Sequence, residues 1–366
     1  MNIDSKNPKI SIIVPTFNRP ILLARALKSL LEQTYTNMEI IVVNDGGCDV
    51  SQMIASLQDS RIVLLVHETN KGLPAARNTA LHHATGDYIA YLDDDDIYYP
   101  NHLKIMVEAL QQHPEYKVVC TDWINAFASF ENGLPVVYKR EKATFEISWP
   151  SILIDNRRPI QSIMHARSCL DEIGYFDESL KRYEDWEVWI RLRQKYPFLH
   201  ISEAEIEYTR SDPTNHQQMV SAWVGPFLQT MQNIHLRYYE PAKLYPEILE
   251  RQGDVRNDLR YRVFQQLLEM ADDDLYQLDF EEWLTDIASS SLLLTREDVK
   301  GARALTGFFT MHFPEKARVW LLHARLCREL GDLQTASIAL QRALQLEETE
   351  VVLNELEILK KLLKKA

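Results

Sequence analysis

Tyr88-Ile89-Ala90-Tyr91-Leu92-Asp93-Asp94-Asp95-Asp96 sets five uninterrupted apolar residues against four consecutive carboxylates. A β-branched and aromatic run of that length reads as a buried strand, and its polar end comes abruptly. Outward from it, Ile10 to Val14, Glu39 to Val43 and Ile62 to Val66 are runs of strand length that also read as buried. Between the first two, Leu23, Ala26, Leu27, Leu30 and Leu31 recur at helical spacing behind Pro20. After the acidic run, Leu103, Met106, Val107 and Leu110 do the same behind Pro100. Strand and helix therefore alternate, which predicts an α/β fold: a mostly parallel, Rossmann-like sheet flanked by helices, with ligands bound beyond the carboxyl ends of the strands.

The loops at those ends are the unusual parts of the chain: Pro15-Thr16-Phe17-Asn18-Arg19, Asn44-Asp45-Gly46-Gly47-Cys48-Asp49 and Asp93 to Asp96. Four adjacent carboxylates repel one another unless something compensates them. The run reads either as a solvated acidic turn capping the helix near Pro100 or as a site for a hard divalent cation such as Mg²⁺ or Mn²⁺. Its place after an apolar strand favours the cation. Asp45 reads as turn chemistry in an Asp-Gly-Gly loop or as an acceptor for a nucleobase N–H. Arg77 and Asn78, near a helix start, read as surface charge or as nucleotide contacts.

Six elements stand in order: PTFNR, VVNDGG, NKGLPAARN, GDYIAYLDDDD, EIGYFDE and YEDWEVWIRL. Together they resemble the family 2 inverting glycosyltransferases of GT-A fold, over about residues 8–215. The resemblance implies that Pro15, Thr16 and Arg19 line a nucleotide pocket, that Asp45 recognises the base and that Arg77 lies nearby. Asp93, Asp94 and Asp95 match the family's DxD-like motif, with Asp95 the ligand of Mn²⁺ or Mg²⁺ on the donor diphosphate. Asp185 matches the catalytic base, and Glu184 orients acceptor or base. From spacing alone, both acids would be ordinary surface in the first turn of a helix whose apolar face is Trp186, Trp189 and Ile190. Gln161, Ser162 and His165 are weaker acceptor contacts, and His165 reads better as a structural histidine. Tyr208 to His216 departs from the family's usual spacing, which leaves His216 a doubtful metal ligand.

The chain of 366 residues has room for about two domains. Forty Lys and Arg against 53 Asp and Glu give a net charge of −13, which argues against nucleic-acid binding. Cys48, Cys120, Cys169 and Cys327 show no metal-ligand spacing and read as reduced thiols. No apolar run approaches the ~18 residues of a membrane span, so the expectation is a cytoplasmic protein, with a peripheral location at the inner face of a membrane as the variant. Residues 1–220 are expected to form the catalytic domain and 221–366 a helical one. Trp320, Ala324, Gly331, Ala336, Leu340 and Ala343 resemble one tetratricopeptide hairpin at about 314–347. Glu269 to Asp286 holds eight acids without Lys or Arg and reads as a solvated face. The terminal helix, with Lys360, Lys361, Lys364 and Lys365 among leucines, reads as solvated or as a membrane or protein contact.

The resulting expectation is a polysaccharide-building glycosyltransferase that takes a nucleotide-diphosphate sugar, UDP being the commonest nucleotide, to a glycan or lipid-linked acceptor. The competing reading is a catalytically silent adaptor that binds protein through its helical module. A sugar nucleotidyltransferase would need a Gly-rich loop after the first strand, which PTFNR lacks.

Overall fold

The computed structural model describes residues 7–145, 147–211, 225–269, 288 and 295–364. The chain forms two compact units, residues 1–152 with 156–221, and 153–155 with 222–366. The first unit runs β1 (Ile10–Thr16), α1 (Pro20–Leu31), β2 (Met38–Asn44), α2 (Ser51–Ser56), β3 (Ile62–Val66), α3 (Leu73–His83), β4 (Tyr88–Tyr91), β5 (Ile97–Tyr98), α4 (His102–Gln112), β6 (Val118–Thr121), β7 (Trp123–Glu131), β8 (Leu134–Ala143), β9 (Ile163–Ala166), α5 (Leu170–Ile173), α6 (Glu184–Lys195), β10 (Phe198–Ile201) and β11 (Ile206–Ser211).

Seven strands form the main sheet in the order β10-β6-β9-β4-β1-β2-β3, and β5-β11-β7-β8 form a second. All main-sheet pairs are parallel except those of β9, which runs antiparallel to β4 and β6. Ile10, Ile12, Ile13 and Val14 of β1 are fully buried, as a central strand covered on both faces requires. The reading of Ile62 to Val66 as a buried strand needs correction. It is β3, the edge of the sheet, where Val63 and Val66 are exposed, because an edge strand has a neighbour on one side only.

The described part of the second unit is helical: α7 (Gly225–Arg237), α8 (Tyr239–Ala242), α9 (Pro246–Glu269), α10 (Arg296–His312), α11 (Ala317–Glu329), α12 (Leu333–Leu346) and α13 (Glu350–Leu363). Its interior holds an ion cluster. Arg256 donates from Nε and Nη2 to the two oxygens of Asp298, at 2.6 and 2.7 Å, and Arg260 adds a bond at 3.1 Å. The residues that carry the tetratricopeptide likeness form the α11–α12 hairpin. Ala324, Ala336, Leu340 and Ala343 meet Leu321 and Cys327 in one buried cluster, which Val352 and Leu359 of α13 also join. Residues 270–286 of the acidic stretch, and Lys365, lie outside the described residues.

Gly331 ends α11. Its own N–H bonds Arg328 O and the next N–H bonds Cys327 O, a Schellman closure that needs its φ of +81°. An added Cβ would meet nothing within 4 Å, so Gly331→Ala carries only the backbone cost. It is expected to destabilise the helical unit by about 1 kcal/mol in urea titration.

Candidate active site

Strands β4, β1 and β2 are parallel neighbours, so their carboxyl ends bring the three polar loops together. Asp45 N–H donates to Thr16 O at 2.9 Å, and Thr16 Oγ1 donates to Asp94 Oδ2 at 2.7 Å. Thr16 and Pro15 are the last two residues of β1 and are buried. Gly46 lies where β2 turns. Its φ is +72° and a Cβ would fall 2.4 Å from the carbonyl carbon of Thr69, so only glycine allows that approach.

The acidic run does not cap a helix. It leads into β5, which pairs with β11, and α4 starts at His102 behind an Asn101 that makes no capping side-chain bond. Each carboxylate has a separate surrounding. Asp93 is 29% exposed and accepts from Arg77 Nη2 at 2.8 Å. Asp94 is buried between Thr16 and Arg19, whose Nη1 lies 3.2 Å from its Oδ1. Asp95 is 35% exposed and also meets Arg19 Nη1, at 3.0 Å, while Arg25 Nη1 holds its backbone carbonyl at 2.9 Å. Asp96 is fully buried. Its Oδ1 accepts from Thr209 N at 2.6 Å, and its Oδ2 has no hydrogen-bond partner among the described residues.

Burial and then repulsion from Asp95 push the Asp94 carboxyl up to about 6. Burial, then Asp93, raises Asp95 against the pull of Arg19. Burial, then Asp95 and Asp93, raises Asp96 well above the usual range. The crowded carboxylates therefore repel one another by more than Arg19, Arg25 and Arg77 compensate, and a bound cation would lower all three.

Arg77 belongs to no surface. Its side chain is 2% exposed and bridges the acidic loop to the start of α6, with Nη2 on Asp93 and Nη1 on Glu184 Oε1 at 2.5 Å. Burial works against its charge, but Asp93, Glu184 and Asp185 outweigh burial and keep the guanidinium ionised. Its plane also lies over the Phe176 ring, 5.5 Å from the centroid. Asn78, one residue on, is not available for a nucleotide. Its amide pairs with the backbone N–H and carbonyl of Phe176 at 2.9 and 3.0 Å and with Glu178 at 2.8 Å, which ties α3 to the EIGYFDE turn.

Glu184 and Asp185 open α6, entered through a left-handed Tyr183; the plain surface reading fails for Glu184, while Asp185 is half-buried and held by neighbours. Glu184 is buried. Asp185 accepts from Asn156 Nδ2 at 2.9 Å on each oxygen and from Trp186 N at 2.7 Å. Burial, then Glu184 beside it, raises its carboxyl to about 7 against Arg77 and Asn156. A carboxyl group poised there takes up and releases protons near neutrality.

Asp45 is spent locally. Its oxygens accept from Lys71 N at 2.9 Å and Gly72 N at 2.8 Å, and His67 Nδ1 lies 2.6 Å from Oδ1. Among the described residues it therefore fastens the start of α3. His165 is structural: it is fully buried, its Nε2 lies 2.8 Å from Tyr91 Oη, and burial lowers its pKa to about 4. Gln161 and Ser162 are buried beside it. His216 lies outside the described residues.

No three His, Cys, Asp or Glu side chains converge into a metal cage among the described residues. The donor set still suits Mg²⁺ or Mn²⁺, which take one or two carboxylates and fill the remaining positions with phosphate and water. Asp93 and Asp95 are the partly exposed acids of the loop, and the unpartnered Asp96 Oδ2 marks a local surplus of acceptors. Asn156, His67 and Arg25 went unforeseen from sequence. An isolated Asn, His or Arg carries no spacing signal, and their partners lie 29, 22 and 70 positions away.

Residues 11–156 match the profile of "Glycosyl transferase family 2". The "Uncharacterized glycosyltransferase YwdF" of Bacillus subtilis (strain 168) is 30% identical over 249 residues, which is 66% of this chain and 90% of that protein. The structure is similar to that of S. aureus TarS 1–349 in complex with UDP-GlcNAc, with a TM-score of 0.52 and 18% identity over 91% of this chain and 92% of the other. It is also similar to the mannosyltransferase PcManGT from Pyrobaculum calidifontis in complex with GDP-Man and Mn²⁺, with a TM-score of 0.50 and 13% identity over 91% and 87%. At such identities the two structures speak for the fold, GT-A.

Proposed function

The chain belongs to glycosyl transferase family 2 and is a glycosyltransferase; from that premise we propose that it is a metal-dependent, inverting enzyme. It moves a sugar from a nucleotide-diphosphate donor, a UDP-sugar first among them, to a hydroxyl of a glycan or lipid-linked acceptor in polysaccharide synthesis. Residues 1–220 carry the reaction and residues 221–366 form a helical domain. The observation that carries this reading is Arg77, whose one buried guanidinium joins Asp93 of the acidic loop to Glu184, the neighbour of Asp185. It fixes the diphosphate-binding loop against the candidate base. No helix among the described residues is long and apolar enough to cross a membrane. Attachment through the C-terminal helices to a membrane or a protein remains part of the proposal.

Thr16, Arg19 and Pro15 line the nucleotide side, and Asp45 shapes the base pocket through its hold on Lys71 and Gly72. Asp94 is kept in place by Thr16 and Arg19. Asp95, with Asp93 beside it, would hold Mn²⁺ or Mg²⁺. When bound, the cation offsets the charge that grows on the departing diphosphate. Asp185 accepts the proton of the acceptor hydroxyl as that oxygen attacks the sugar carbon opposite the leaving phosphate, which inverts the anomeric centre. Glu184, held by Arg77, keeps a negative charge next to Asp185 and so sustains its basicity. The neighbours of like fold bind UDP-GlcNAc and GDP-Man with Mn²⁺, which supports the choice of donor class and ion.

Donor binding tests the metal half of the proposal. A ligand at a hundredfold its Kd stabilises the native state by about 2.7 kcal/mol. UDP-, GDP- and dTDP-sugars assayed by thermal shift with Mn²⁺, Mg²⁺ or EDTA are expected to give one responsive nucleotide, and only with the cation. Asp95→Ala is expected to remove that response. An Asp95→Ala protein with an undiminished, cation-dependent shift would exclude Asp95 as the ligand.

A further inference from the structure

Asp185 is not positioned by its own helix alone. Asn156, 29 residues earlier and outside any helix or strand, aims one Nδ2 at both carboxylate oxygens, 2.9 Å from each. Oδ1 also accepts from Trp186 N at 2.7 Å, whereas among the described residues Oδ2 accepts from Asn156 only. Oδ2 therefore keeps lone-pair capacity for a further proton. The segment before Asn156 is itself tied down. Ile152 O accepts from Trp186 Nε1 at 2.6 Å.

We propose that Asn156 is a positioning residue for the transfer reaction: its amide fixes the rotation of the Asp185 carboxylate and presents Oδ2 to the acceptor hydroxyl. The inference rests on the reading of Asp185 as the base. A neutral amide suits the task. One N–H shared between the two oxygens constrains the carboxylate without adding the full positive charge that would suppress its basicity. The charged groups acting on Asp185 are Glu184 on its own helix and Arg77 from α3. Asn156 is the uncharged side chain that sets its orientation between them.

Three substitutions separate positioning from mere support. Asn156→Leu keeps the volume and removes the donor; Asn156→Asp keeps the shape and replaces the donor with a carboxyl group; Asn156→Ser restores one donor. With folding checked by circular dichroism, Asn156→Leu is expected to lower kcat roughly 10- to 100-fold with the donor KM within about twofold. The acidic limb of kcat/KM should rise by about one pH unit in the Leu protein, further in the Asp protein, and return partway in the Ser protein. If Asn156→Leu does not fold, the Asp and Ser proteins carry the comparison. A fall in kcat with the limb unmoved, or a rise in donor KM alone, would overturn the proposal. Asp185→Asn, assayed alongside, tells the two failures apart. An inactive Asp185→Asn with unaltered Asn156 variants sinks the positioning role and leaves the base. An active Asp185→Asn sinks both.

Discussion

Replacing Asp185 with Asn is expected to lower kcat by about 10²- to 10⁴-fold while the donor nucleotide binds within about twofold of its original affinity. The amide is isosteric, so the contacts of Asn156 and Trp186 lose little volume, but it cannot take a proton. The wild-type pH profile provides the second half of the test. The Asp185 carboxyl is raised to about 7, and a base works only when deprotonated. Activity measured as kcat/KM should therefore be low at pH 5, climb through a midpoint near pH 7 and level off above it. A group with an ordinary carboxylate pKa would have finished titrating two pH units lower. A flat profile between pH 5 and 8, or an Asp185→Asn enzyme at a tenth or more of wild-type kcat, would remove Asp185 from the chemistry.

The same residues show how far the sequence could be read. Runs such as Ile10 to Val14 and Tyr88 to Leu92 announce buried strands because burial on both faces demands continuous apolar side chains. The polar loops at their ends follow from topology. The edge position of β3 was hidden, since Ile62 to Val66 is as apolar as a central strand and only the strand order makes it exposed. Within the site, the acid types were legible and their partners were not. Arg77 sits 16 positions from Asp93 and 107 from Glu184, distances at which no periodicity operates. Asn78 resembled a ligand contact because polar residues near a helix start often are. Its pairing with the backbone of Phe176 is visible only when α3 and the EIGYFDE turn are brought together.

Arg77 is where stability and chemistry share one side chain, so its loss should be the more damaging to the fold. Arg77→Met keeps an apolar side chain in the buried position but removes the guanidinium over Phe176 and leaves Glu184, which is 8% exposed, as an unpaired buried carboxylate. Breaking a buried ion pair from one side costs about 3–5 kcal/mol, readable as a lowered urea midpoint at constant slope. Asp93 matters less to this cost, since at 29% exposure water can solvate it in place of the guanidinium. Neutralising the buried partner should therefore recover most of the loss: Arg77→Met with Glu184→Gln is expected to be more stable than Arg77→Met alone. That non-additivity is the signature of a direct pair in a double-mutant cycle. Arg77→Lys should not rescue, because a single ammonium cannot reach both carboxylates with the planar fork that now spans them. If the two single substitutions add without coupling, Arg77 does not tie the acidic loop to α6, and the case for one continuous site across Asp93, Glu184 and Asp185 fails with it.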